Sequence, residues 1–250
     1  RGTLADGFRV DAGGETVRGR VVVGAYGRRG TLDRTLERPF LRQSSPYVAF
    51  KAHYESRTAT EPPGRIELYA APGGYCGVGP VEENRLNVCW IGRVDSLKRS
   101  GGTPEAMLQE VLAQNRSLKA RLGELSRVSP GFKAVSQVPL MAKSRFAEDV
   151  CMVGDAAGMI APLCGDGMAM ALSTADLAVP FISDVLEGRR SPSAFRTSYE
   201  QAWSQTFGRR MRIGRWVHAA AFRPTITNAL VRTCALLPPV ARWLIQATRG

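Results

Sequence analysis

The sequence predicts a mixed α/β (α+β) fold: a layered α/β core, interrupted by an antiparallel β-rich insert and followed by C-terminal helices. Three observations carry that prediction. Two apolar stretches far apart in the chain, "RGRVVVGA" (18–25) and "VCMVGD" (150–155), each run into glycine. Between them, short alternating segments are cut by Gly, Pro and Asn, the habit of an antiparallel sheet. From Gly167 onward the apolar period becomes that of helices.

In chain order, "FRV" (8–10) and "RGRVVVGA" read as strands separated by the turn-rich "DAGGET". "YVAFKAHYE" (47–55), "RIELYA" (65–70), "GYCGVGP" (74–80) and "RLNVCWIG" (85–92) form the insert's sheet. Residues 103–125 have helical period, with Thr103 as N-cap, Pro104 in the first turn and Met107, Leu108, Val111, Leu112, Leu118, Leu122 and Leu125 on one face. "FKAVSQVPL" (132–140) returns as a strand before "VCMVGD". A helix then spans Gly167 to about Leu186, and Pro180 is expected to bend or break it. Two more helices follow, one starting at "SPSAF" (191–195), the other over roughly 225–247 with Pro238 and Pro239 interrupting it.

At 250 residues the chain can bury a sizeable core, and 44% hydrophobic with 22% charged residues is ordinary for a globular protein. Cys76, Cys89, Cys151, Cys164 and Cys234 form no C-x-x-C pair, and His53 and His218 are the only histidines. A zinc site or disulfide framework is not expected, and a reducing, cytoplasmic setting is. The net charge of +12 is concentrated late: residues 189–250 hold eleven arginines, no lysine and one acid, Glu200. Such a block reads as a solvated helical face, or as a surface for anionic lipid at the membrane periphery. No aromatic-interleaved basic ribbon points to nucleic acid. No stretch is read as a membrane span. The opening residues read as mid-domain strands, so the chain is expected to be a fragment.

The chemistry concentrates in "CMVGDAAGMIAPLCGDGMAMAL" (151–172). A strand ending in Gly154-Asp155, small residues and a helix starting near Gly167 make a site for hydroxyls and anions. Asp155 can accept from a sugar-alcohol hydroxyl, and the amides around Gly165, Asp166, Gly167 and Met168 face negative charge. The same residues could also be an ordinary strand–turn–helix corner with a capping Asp.

This segment resembles the second FAD motif, GD-x-AG…P…G-x-G, of flavoproteins with the p-hydroxybenzoate hydroxylase fold, through Gly154, Asp155, Ala157, Gly158, Pro162, Gly165 and Gly167. The resemblance implies a partial FAD-binding, Rossmann-like layer, with Asp155 holding the ribityl chain. The Gly165–Met168 helix start would then lie beside the isoalloxazine ring. "VVVGAYGRRGTLDR" (21–34) resembles the same family's GADGRxSxxR segment through Gly24, Gly27, Arg28 and Arg34. Tyr26 stands where the family has Asp, and Gly30 where it has Ser. "PGGYCGVGP" (72–80) resembles the Y-x-W-x-F-P element of geranylgeranyl reductase-like flavoenzymes. Tyr75 and Pro80 match, while Gly77 and Gly79 replace the aromatics, which implies a different or larger pocket.

No G-x-G-x-x-G unit is present, and in the resembling family it lies upstream of where this chain begins. Elements of other chemistries, G-x-S-x-G, Walker A and HExxH, are absent too. His53 and His218 are read as ordinary strand or helix residues, and Cys76 and Cys164 as small buried hydrophobes.

The resemblance thus implies an FAD-dependent reductase with NAD(P)H as electron donor, an apolar, isoprenoid-type substrate and Tyr75 as the first candidate for proton donor. The expected division is FAD-binding at 1–35 and 146–190, a substrate domain at 36–145 and a helical region at 191–250. One rival is a monooxygenase or halogenase of the same fold. The halogenase would want W-x-W-x-x-P and a catalytic lysine, against Trp90 and the isolated Lys51, Lys98, Lys119, Lys133 and Lys143. The other rival is a non-catalytic module docking on membrane or protein.

Overall fold

The computed structural model describes residues 2–57 and 64–249. It divides into two compact units, the first from chain segments 1–44, 139–216 and 242–250, the second from 45–138 and 217–241.

Along the chain, β1 (Gly2–Thr3), β2 (Gly7–Ala12) and β3 (Glu15–Gly19) form a small antiparallel meander. The expected strand at 18–25 is split: Arg18 and Gly19 end β3, and Val23–Gly24 pair separately as β4, before the short α1 (Thr31–Thr35). In the second unit β5 (Tyr47–Ser56) buries Val48, Phe50, Ala52 and Tyr54, the period-2 pattern of a one-sided strand. With β6 (Glu67–Ala71), β7 (Gly74–Pro80) and β8 (Leu86–Arg93) it builds an antiparallel sheet in which β8 is central and β7, between β8 and β6, is buried from Gly74 to Val78. Glycine is required at position 74, where a Cβ would lie 2.3 Å from the Ile91 carbonyl oxygen. Phe50 opposes Trp90 across β5 and β8, with ring centroids 5.7 Å apart.

After α2 (Val94–Arg99) comes the predicted helix of 103–125, which the structure breaks up. Thr103 does cap it, accepting from the Ala106 amide at 3.1 Å, with Pro104 opening α3 (Pro104–Ala106). A π turn and a 3-10 turn follow, and Asn115 then leaves the helix. Its Oδ1 caps α4 (Arg116–Gly123) by accepting from Ser117 and Leu118, and its amide donates to the Ala70 carbonyl at 2.8 Å. Asparagine competes well for a cap, so an apolar face of correct period became two helical pieces. Leu125 belongs to β9 (Leu125–Arg127), and β10 (Lys133–Ser136) closes the sheet beside β5.

The chain returns to the first unit with β11 (Phe146–Ala147) and β12 (Val150–Met152), giving the order β11-β12-β4, β12 parallel to β4. Next comes α5 (Gly167–Leu186), which runs through Pro180 without a break because Pro180 lies on an exposed face. Contrary to the sequence reading, α5 is long and apolar enough by length and composition to cross a membrane. Met170, Thr174 and Ala178 bury one of its faces in the first unit, while Met168, Leu172 and Val179 stay exposed. Then α6 (Pro192–Ala221) packs Phe195, Tyr199, Trp203, Phe207 and Met211 into the same core. The segment expected as one interrupted helix is two, α7 (Pro224–Leu236) and α8 (Pro238–Arg249). Leu237, preceding proline, is held out of the helical region at φ −127°, ψ 78°.

Candidate functional site

Parallel pairing of β12 with β4 sets two turns side by side. Cys151 and Met152 register with Val23 and Gly24, and the Val153 amide donates to the Gly24 carbonyl at 3.1 Å. Ligands of open parallel sheets lie off such carboxyl ends. Gly24 has no room for a side chain, since a Cβ would sit 2.5 Å from Met152 Sδ. Gly27 turns the chain at φ +82°.

On the β12 side, Gly154 takes φ +57° and its amide donates to Thr174 Oγ1 of α5 at 2.7 Å. A 3-10 turn over Gly154–Ala156 then presents Asp155. Its half-buried side chain has no hydrogen-bond partner among the described residues. Burial raises its pKa, while the charges of Lys143 and Arg28 hold it down. Pro162 opens a 3-10 turn that ends at left-handed Gly165 (φ 66°). Asp166 is the N-cap residue of α5, but its carboxylate accepts from Arg210 at 2.9 Å instead of capping. The first amides of α5, at Gly167 and the 86% exposed Met168, thus keep no cap from that side chain. Gly158 has a packing role: a Cβ there would meet the Trp203 ring at 3.2 Å and Met211 at 3.4 Å. Ala157 is fully buried beside it.

Three residues to which the sequence reading gave no role in the cofactor turns organise this region. Arg38 is buried, paired with buried Asp33 at 3.0 Å, and donates to the Ala156 carbonyl at 2.9 Å and the Ser144 carbonyl at 2.7 Å. Tyr26 joins them, its hydroxyl donating to Asp33 at 2.5 Å and accepting from Arg38 at 2.9 Å. Burial and the Asp33 hydrogen bond push the phenol up to about 12. By strict spacing the closing arginine of the GADGRxSxxR pattern falls on Asp33, and Arg34 stands one residue beyond. Lys143 is buried too, its Nζ donating to the carbonyls of Arg28 at 2.6 Å and Asp155 at 2.8 Å. Arg38 reaches the Ala156 and Ser144 carbonyls, and Lys143 the Arg28 carbonyl, across more than a hundred residues of chain, so no local pattern announces those contacts. Beside the first turn, Arg29, Gly30, Thr31, Arg34 and Leu41 line an open cavity of about 600 Å³.

Tyr75 lies in the second unit. It is buried in β7, its hydroxyl 3.4 Å from Nδ1 of His218. The rings of Tyr47, Tyr75 and Phe222 surround that imidazole, and burial lowers its pKa to about 4. Cys76, beside Tyr75, is pushed far above the usual thiol range by burial, so it is no ready thiolate.

Parallel strand ends, a free carboxyl on a tight turn and an open helix start define a dinucleotide-type cofactor domain. Residues 5–209 match the FAD binding domain family, and the chain belongs to that family. It is 27% identical over 207 residues to digeranylgeranylglycerophospholipid reductase 1 of Methanopyrus kandleri, covering 80% of this chain and 52% of that protein. Menaquinone reductase of Mycolicibacterium smegmatis is 27% identical over 206 residues, covering 78% of this chain and 47% of that one. The chain spans about half the length of these curated relatives. Among solved structures, flavin-dependent brominase Bmp2 superposes with a TM-score of 0.70 at 19% identity, over 98% of this chain and 62% of that one. The probable FAD-dependent monooxygenase PqsL of Pseudomonas aeruginosa gives 0.61 at 18% identity, over 86% and 60%. These two likenesses establish the α/β fold.

Proposed function

We propose that this chain supplies the flavin-seating turns and the substrate-facing sheet of an FAD-dependent reductase acting on an apolar, isoprenoid-type substrate. One observation carries the reading: the half-buried Asp155 carboxyl has no hydrogen-bond partner among the described residues, at the end of a parallel strand and beside a helix start without a side-chain cap. Such an acceptor fits a ribityl hydroxyl, and the amides from Gly165 to Met168 fit the electron-rich edge of a flavin ring. Gly154, Ala157, Gly158 and Pro162 shape that turn; Gly24, Gly27 and Arg28 shape its neighbour. Bound FAD would supply the hydride chemistry, with NAD(P)H as the proposed electron donor. The relatives named for digeranylgeranylglycerophospholipid and menaquinone reduction support the substrate class.

Residues 1–35 and 146–190 form the FAD-binding part in this reading, 36–145 the substrate domain and 191–250 a helical region. Tyr75 is the proposed proton donor, a role that requires its buried hydroxyl to reach substrate. The five cysteines, which form no C-x-x-C pair, support a cytoplasmic place in this reading. The arginine-rich 189–250 block suits peripheral contact with anionic lipid, with no nucleic-acid partner. Co-sedimentation with phosphatidylglycerol vesicles, weakened by salt, is the expected result; no binding at low salt ends that part of the proposal.

The monooxygenase or halogenase reading is the rival. The tight Gly158–Trp203 contact favours the reductase, because the ring hydroxylases carry His at that motif position and none fits here. NADPH oxidation yielding peroxide or hydroxylated product would reverse that preference, and a colourless protein releasing no flavin would favour a non-catalytic module. For the main reading, Asp155→Ala is expected to weaken FAD binding about tenfold or more in a fluorescence titration. Unchanged affinity overturns the assignment of the site.

A further inference from the structure

Two buried cations stand behind the Asp155 turn, and one lacks an ion-pair partner among the described residues. Arg38 is matched by Asp33 in direct contact. Lys143, 4% exposed, has only carbonyl acceptors, those of Arg28 and Asp155, with its Nζ 4.5 Å above the Phe40 ring. Burying an ammonium without a counter-ion in contact is costly, and an apolar side chain would fill the space more cheaply. The two carbonyls belong to the two turns that flank the strand ends. An ammonium carries three donors, and these bonds use two of them.

We propose that Lys143 is a positioning residue for the cofactor site: its ammonium ties the Arg28 turn to the Asp155 turn and so fixes where the Asp155 carboxyl meets a ligand hydroxyl. This rests on the reading of Asp155 as that acceptor. The charged groups around Lys143 are Arg38, Asp33, Asp155 and Arg29. Burial is the largest influence and, with the neighbouring arginines, lowers the lysine pKa to about 8 against the two carboxylates.

Stability and affinity should therefore move in opposite directions with pH. The folded pKa is depressed, so the unfolded chain holds more protons between pH 8 and the usual lysine value near 10.5, and stability rises across that window. FAD affinity falls over the same rise, because the neutral amine bonds the two carbonyls more weakly than the ammonium does and holds the turns less firmly. A brace with a merely structural role would move both together.

The test is titration of the protein with FAD at pH 7, 8 and 9, followed by flavin fluorescence, with urea unfolding of the FAD-free protein at each pH. Wild type, Lys143→Met and Asp155→Ala are compared. Lys143→Met is expected to bind FAD about tenfold more weakly at pH 7 and to show a flat profile. Wild type is expected to fall toward it by pH 9 while its unfolding midpoint climbs. Wild-type affinity that stays level from pH 7 to 9 overturns the inference without any substitution, as does a Lys143→Met variant with wild-type affinity at pH 7. Weakening by Lys143→Met with Asp155→Ala unaffected would instead overturn the reading of Asp155.

Discussion

A Cβ on Gly30 would stand 2.9 Å from the Tyr26 ring, so a serine at position 30 and a tyrosine at position 26 exclude one another. The departures from the GADGRxSxxR segment at positions 26 and 30 are one change: the ring takes the space, and its hydroxyl joins the Asp33–Arg38 pair. Gly30→Ser is expected to cost about 1–3 kcal/mol in urea unfolding, and the cost should largely vanish in a Tyr26→Ala background. Tyr26→Phe removes two hydrogen bonds to a buried ion pair and should cost about 1–3 kcal/mol. His218 gives a pH signature. Its folded pKa of about 4 lies below the ordinary 6.5, so the folded state resists protonation. Stability is full above about pH 6.5 and drains as pH falls toward 4. His218→Phe should flatten that slope relative to wild type; an unchanged slope would show that other groups set it.

Among the elements, regular strands were legible and interrupted helices were not. Alternation in 47–56 and 86–93 marks one buried face against one neighbour, which is local information. The helix expected over 103–125 had the right period, yet Asn115 found both a cap and the Ala70 carbonyl, a partner 45 residues away. Asn115→Ala should cost about 1–2 kcal/mol of stability, more than an exposed cap alone would. Conversely Pro180 was expected to interrupt α5, and the helix continues because it is anchored on either side, by buried Met170, Thr174 and Ala178 before the proline and by partly buried Phe181, Ile182 and Val185 after it. Pro180→Ala should raise the unfolding free energy by about 1–3 kcal/mol. A drop would mean that the proline is needed where it stands.

For the whole molecule, two cores of different make-up account for the chain. Aromatics of α6 and the strand–turn segment of 150–164 fill the first, and the sheet with Met107, Leu108, Leu112, Leu118 and Leu122 fills the second. Glycines keep α6 close to the motif turn in the first unit: Gly158 against Trp203, and Gly214 against Cys164, where a Cβ would lie 3.1 Å from Sγ. Gly158→His is expected to destabilise the protein, by about 1–3 kcal/mol, beyond any effect on the cofactor. Full thermal stability in that variant would remove the packing explanation for glycine at this position.

The residues from 151 to 172 announced a cofactor turn by themselves, because a strand end, a lone carboxylate, glycines and a helix start are neighbours in sequence and act through short-range backbone geometry. The α/β class and most strands follow from the same local signals. Tertiary structure alone decided what stands behind the turn: Arg38 on the Ala156 carbonyl 118 residues away, Lys143 on Arg28 115 away, and Tyr75 beside His218 143 away. A buried charge or buried imidazole is identified by its surroundings, and those are assembled only when distant segments pack together, so no period or spacing along the chain can encode them.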